Sequence, residues 1–237
     1  MINTELLRSL AEEIGVTLDD QALDRFDQYA KLLIFWNEKI NLTTIIEPLE
    51  IVYKHFLDCL YLLTVTDFEE HAKVIDVGTG AGFPGLVLLI ARPDLQMTFL
   101  DGTKKRLAVI QDILDELDLS ATVVHARAEE AGRNKPYREN YDIATARAVT
   151  NLRDLSELCL PFVKEGGLFL AMKGPDLKEE IQEGEAAIET LGGTILELIE
   201  YELPDRGGRS VLLIGKEEET PKKYPRPMGQ IKNHPLH

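Results

Sequence analysis

The sequence predicts an α/β fold: a mostly parallel seven-stranded sheet with an antiparallel last strand, helices on both faces, and a helical segment ahead of the sheet. Three observations carry this. Helical periodicity fills residues 1–66, and short apolar or β-branched runs then alternate with helical stretches. The last two such runs are joined by a connection too short to hold a helix. The 237 residues divide on this reading into a helical segment 1–66, a core 67–216 and a basic tail 217–237.

In the helical segment, Phe26, Tyr29 and Ala30, Leu33, Trp36 and Ile40 recur at spacings of three and four, one face of a long helix. Pro48 opens another helix, which carries Ile51, Val52, His55, Phe56, Cys59 and Leu62, because proline is tolerated in a first turn. After His71 the period changes. Residues 73–77, 96–101, 122–126, 141–146 and 167–172 read as strands, separated by helices over 84–91, 104–117 and 151–162. Such alternation builds right-handed βαβ units and hence parallel strands. A helix over 177–191 precedes strands 194–201 and 210–216, and the short link at 202–209 forces these two to pair antiparallel. The stretch 221–237, with three prolines before Gly229 and four basic residues, reads as a poorly ordered terminus.

Composition excludes several classes. The chain has 26 Lys and Arg against 41 Asp and Glu, a formal charge of −15, which disfavours diffuse coating of nucleic acid. Cys59 and Cys159 are too few for a disulfide framework. The longest apolar run, 86–91, is too short to cross a bilayer, and the first residues lack the pattern of a signal peptide. The chain therefore reads as a soluble cytoplasmic protein with no metal site and no obligate protein partner.

The chemistry concentrates at residues 74–85, where a buried strand runs into a glycine-rich turn, Gly78, Gly80, Gly82 and Gly85, that opens a helix. Such a turn lets backbone approach a nucleotide-like ligand at the carboxyl edge of a sheet. The spacing of Gly80, Gly82 and Gly85, with Asp101 19 residues beyond Gly82, formally matches the dinucleotide pattern. Asp76 argues against it, since a carboxylate beside the turn repels a pyrophosphate and attracts an ammonium group. S-adenosylmethionine carries that ammonium, a carboxylate for the helix start and ribose hydroxyls for Asp101.

The run Asp76 to Gly85, with Trp36-Asn37, Asn41-Leu42-Thr43, His55-Phe56-Leu57-Asp58, Ala128-Glu129, Thr145-Ala146-Arg147-Ala148, Met172-Lys173-Gly174 and Arg209, resembles the glucose-inhibited division protein B family over nearly the whole chain. The resemblance implies a class I S-adenosylmethionine-dependent, Rossmann-like methyltransferase core that modifies N7 of a guanine in 16S ribosomal RNA, on free RNA or on the small ribosomal subunit. It further implies that Gly78, Phe83, Ala128, Glu129 and Arg147 contact the cofactor. With the turn and its acids, the expected cofactor set is Asp76, Gly78, Gly80, Gly82, Phe83, Asp101, Ala128, Glu129 and Arg147.

Absent motifs agree with this chemistry. There is no Asp/Asn-Pro-Pro-aromatic run after the fourth strand, where Ala144-Thr145-Ala146-Arg147 stands instead, and both cysteines lie in apolar-patterned helices suited to inert thiols. Guanine N7 has a free lone pair and needs no base, so alignment is the main requirement. Contact with RNA is expected from Lys173, Arg206 and Arg209 on the carboxyl rim, with Arg147 and Lys173 positioning the substrate. Two rival readings, an NAD-dependent oxidoreductase and a non-catalytic RNA-binding protein, lack respectively a nicotinamide-facing catalytic set and a reason for Asp76 and Asp101.

Overall fold

The computed structural model describes residues 1–204 and 207–236. Its helices are α1 (Thr4–Glu13), α2 (Asp20–Asn37), α3 (Pro48–Ile51), α4 (Asp58–Leu60), α5 (Leu62–Val65), α6 (Gly85–Ala91), α7 (Lys104–Glu116), α8 (Ala128–Ala131), α9 (Leu152–Cys159), α10 (Lys178–Thr190) and α11 (Met228–Asn233). The strands are β1 (Lys73–Val77), β2 (Gln96–Asp101), β3 (Thr122–His125), β4 (Tyr141–Arg147), β5 (Val163–Lys173), β6 (Gly193–Glu202) and β7 (Gly208–Lys216). They form one sheet in the order β3-β2-β1-β4-β5-β7-β6, with β7 antiparallel to both neighbours and the other pairings parallel. Because strand order reverses between β1 and β4, their carboxyl ends open a crevice there. No helix among the described residues is long and apolar enough to cross a membrane.

The ends of α1, α2 and α9 follow from their caps. The side chains of Asn3, Asp19 and Asn151 accept from Leu6, Ala22 and Asp154 N–H, satisfying donors that a helix start leaves unpaired. The expected helix through Ile40 stops at Asn37. There the Asn37 side chain turns to accept the N–H groups of Leu42 (2.8 Å) and Thr43 (2.9 Å), folding the chain back on itself. The single helix expected from Pro48 is interrupted by a π-helical turn, Val52–Leu57, between α3 and α4. That wider turn leaves His55 and Asp58 both buried under the sheet's carboxyl edge. Side chains of α1–α4 share one core with β1, β2 and α6, in which Phe26, Tyr29 and Phe56 are fully buried.

The terminus corrects the expectation of poor order. Tyr224 and Ile231 are buried against α9 and the second core. Arg226 meets Glu157, which is 1% exposed, at 2.6 and 2.9 Å, while Arg133 and Arg138 donate to the carbonyls of Pro225 and Tyr224. Apolar anchors between prolines dock the segment, and Met228 lines a cavity with Gly78 and Asp101.

Arg226→Ala leaves the Glu157 carboxylate buried without its counter-charge, a loss of about 3 kcal/mol. Denaturant unfolding should show that drop; an unchanged midpoint would mean the tail is not held by this pair.

Candidate ligand and substrate clefts

Two cavities open at the carboxyl edge, and Ala148 lines both. The first, about 260 Å³, is walled by Gly78, Asp101, Gly102, Ala128, Glu129 and Val149, among others. The second, about 550 Å³, is walled by the loop Leu42–Ile45 and by Lys54, His55, Asp58, Arg147, Lys173 and Arg209, among others.

Asp76 builds the turn beside the first cavity. It is fully buried, and its Oδ2 accepts from Thr79 Oγ1 (2.6 Å) and from the Gly85 N–H (3.0 Å), tying both ends of the turn to β1. Its Oδ1 is buried with no hydrogen-bond partner among the described residues. Burial pushes the carboxyl up to about 6, against the pull of Thr79, Gly85 and Arg147. Asp101, 6% exposed, holds the other side, accepting from Thr103 N (2.7 Å) and Gly80 N (3.1 Å). From α2, Tyr29 donates to the Ala81 carbonyl at 2.8 Å.

The glycines serve two ends. Gly82, at φ +102°, has no room for a side chain, since a Cβ would lie 2.4 Å from Leu86 Cδ1 and 3.0 Å from Tyr29 Oη. Gly78 has φ +74° and faces Val149, whose Cγ2 would be 2.9 Å from a Cβ. Packing therefore accounts for Gly82, whereas Gly78 stands in the cavity wall.

The structure thus brings four members of the expected cofactor set, Gly78, Asp101, Ala128 and Glu129, to one cavity. Asp76, Gly80, Gly82 and Phe83 do not line it, and Arg147 lines the neighbouring cleft instead. Phe83 is 5% exposed, stacked on the His55 ring (centroids 4.2 Å apart) and covered by the Arg147 guanidinium at 4.7 Å. Arg147 donates to Asp58 Oδ2 (3.0 Å), His55 Nδ1 (3.0 Å) and the Lys54 carbonyl (3.1 Å), joining β4 to the interrupted helix. Asp58 also accepts from Tyr201 Oη (2.8 Å) and lies 3.7 Å from Arg209 Nε.

Lys173, expected as a phosphate contact, lines the second cavity with an already paired ammonium. Its ammonium is bound to Glu180 (2.6 Å) and the Thr150 carbonyl (2.8 Å), bracing the loop after β4. Arg209 stays on the rim, part-buried, and Arg206 lies outside the described residues. Burial pushes both cysteine thiols up, in line with inert thiols. Sequence reasoning missed Tyr29, Tyr201 and Val149, whose roles come from contacts across the fold.

A family model described as rRNA small subunit methyltransferase G matches residues 22–206. Ribosomal RNA small subunit methyltransferase G of Clostridium beijerinckii is 44% identical over 234 residues, 98% of each chain. The Bacillus cereus protein of the same name is 44% identical over 237 residues, 99% of each chain. Among solved structures, a SAM-dependent O-methyltransferase from Thermotoga maritima superposes with a TM-score of 0.52 at 15% identity, over 80% of this chain and 73% of that one, a likeness of fold.

Since Asp76 is charged above its raised pKa, its burial costs stability there. The contribution is most favourable below pH 3.8 and is lost as pH rises through about 6, a change of roughly 3 kcal/mol. Asp76→Asn keeps an oxygen for Thr79 and Gly85 but has no charge to bury. The gap in unfolding free energy between the two proteins should therefore shift in favour of the variant from pH 4 to pH 7. A constant gap across that range would show that Asp76 is not destabilised by burial.

Proposed function

The chain belongs to the rRNA small subunit methyltransferase G family, and from that premise we propose that it transfers a methyl group from S-adenosylmethionine to N7 of a guanine in 16S ribosomal RNA. The observation that carries the reading is the pair of cavities meeting at Ala148, one beside the glycine turn and one beneath the helical segment. A cytoplasmic location follows from the ribosomal substrate, and the substrate itself is the naked rRNA or the small subunit.

The residues present suit the cofactor. Asp101 and Glu129 offer carboxylates for ribose hydroxyls, Gly78 puts backbone in the cavity wall, and the unmatched Oδ1 of Asp76 places a negative charge beside the turn that favours a cationic ligand. When bound, the cofactor supplies a methyl group on a positively charged sulfur. The protein's task is to hold a guanine in the second cleft with N7 facing the first, a contribution of proximity and orientation.

Among the described residues of the second cleft, the candidate bases are already engaged: Asp58 accepts from Arg147 and Tyr201. Burial and the adjacent Arg147 pull the His55 imidazole down to about 3, so it is neutral, and both ring nitrogens are engaged. A reaction at N7 needs no proton removed before transfer, which fits such a site better than methylation of an amine or a carbon. Enzymes acting on one base isolate it in a pocket of this kind.

Two measurements test the reading. Calorimetry should show S-adenosylhomocysteine binding with stabilisation of about 2.7 kcal/mol at a hundred times its dissociation constant. Mass spectrometry of 16S rRNA nucleosides should show 7-methylguanosine lost on gene deletion and restored by the gene. Binding of NADH without S-adenosylhomocysteine, or an unchanged nucleoside profile, would overturn it.

A further inference from the structure

Thr43 stands in the wall of the second cleft, half-buried, on the loop that Asn37 folds back. Its hydroxyl oxygen accepts the Ile45 N–H at 3.1 Å and lies 3.0 Å from His55 Nε2. The direction of the second bond follows from His55's other neighbour. Arg147 Nη2 lies 3.0 Å from His55 Nδ1, and a guanidinium has only protons to give, so Nδ1 is the acceptor. The ring is neutral and carries one proton, which is then on Nε2 and points at Thr43.

A hydroxyl has two lone pairs and one proton. Ile45 and His55 occupy both lone pairs of Thr43. Its own proton is left as the remaining hydrogen-bonding group, with no acceptor among the described residues. Arg147, His55 and Ile45 together make Thr43 an obligate donor at the cleft.

We propose that Thr43 donates this hydrogen bond to O6 of the target guanine and is thereby the residue that distinguishes guanine from adenine. On the edge that carries N7, guanine presents two acceptors, N7 and O6, whereas adenine presents an amino donor at position 6. A hydroxyl free to rotate could serve either base. One whose lone pairs are both taken meets the adenine amino group donor to donor. The inference rests on the guanine N7 reading above and adds the group that selects the base.

The test uses reconstituted small subunits whose 16S rRNA carries guanine or 2-aminopurine, which lacks the 6-oxygen, at the methylated position. Methyl transfer is followed as kcat/KM, with S-adenosylhomocysteine affinity by calorimetry as the check on folding. Wild type should be about tenfold slower on 2-aminopurine, the worth of one hydrogen bond. Thr43→Val should be about tenfold slower on guanine and show no further loss on 2-aminopurine, while Thr43→Ser behaves as wild type; cofactor affinity stays unchanged in both. Wild type indifferent to the 6-oxygen, or Thr43→Val that keeps the full 2-aminopurine penalty, overturns the role of Thr43. The wild-type comparison stands even if the valine variant does not fold. Failure of wild type to methylate guanine-bearing subunits at N7 would instead overturn the underlying reading.

Discussion

The buried ion pair between Arg147 and Asp58 is the constraint on which the rest of the site depends. Arg147 ends β4 at the crevice, where a cation is costly unless it is matched. Its match comes from 89 residues away, on a helix that has to be distorted to deliver it. The π-helical turn places His55 and Asp58 together against the guanidinium, and Phe83 stacks beneath, so the helical segment is locked over the glycine turn. Both clefts owe their common wall to this junction. Removing Asp58 would leave Arg147 without its carboxylate in a place water barely reaches.

A second constraint acts from below. Asp76 and Asp101 bind the backbone of the turn from opposite sides, and Tyr29 binds it from the helical segment. The turn is therefore braced by the chain's own side chains. One oxygen of Asp76 organises Thr79 and Gly85 at the cost of a buried charge, while the other has no partner among the described residues. On the proposed cofactor, stability and ligand preference are set against each other in a single side chain.

The legibility of these features in the sequence tracked the range of the contacts that cause them. Strands β1 and β2 were readable to the residue because each is an almost wholly buried run bounded by turns. The final antiparallel pairing followed from loop length alone. The four residues of α8 are too short to show a period, and the terminal helix hid among prolines and lysines although Tyr224 and Ile231 anchor it. The position of Asp76 beside the turn is legible from the strand end, but that its Oδ2 is consumed by Thr79 and Gly85 depends on three-dimensional closeness. The pairing of Lys173 with Glu180 is illegible in the sequence for the same reason. A strand-end lysine looks solvent-facing until α10 is seen to bring Glu180 onto it.

The fate of the cations bears on how so acidic a chain recognises RNA. Arg147, Lys173, Lys216 and Arg226 each face a carboxylate of the same chain: Asp58, Glu180, Glu139 and Glu157. Arg147, Lys173 and Arg226 are charges that sequence alone would assign to phosphate, and in the fold they hold the crevice and the tail together. Phosphate neutralisation supplies most non-specific affinity for nucleic acid, and the surplus of 15 negative charges works against it. On the proposed reaction, affinity must then come mainly from fit around one extruded nucleotide rather than from coverage of backbone. Affinity and base selection would therefore reside in the same few groups of the second cleft. A protein of this charge gains little from binding RNA that does not offer it the right base.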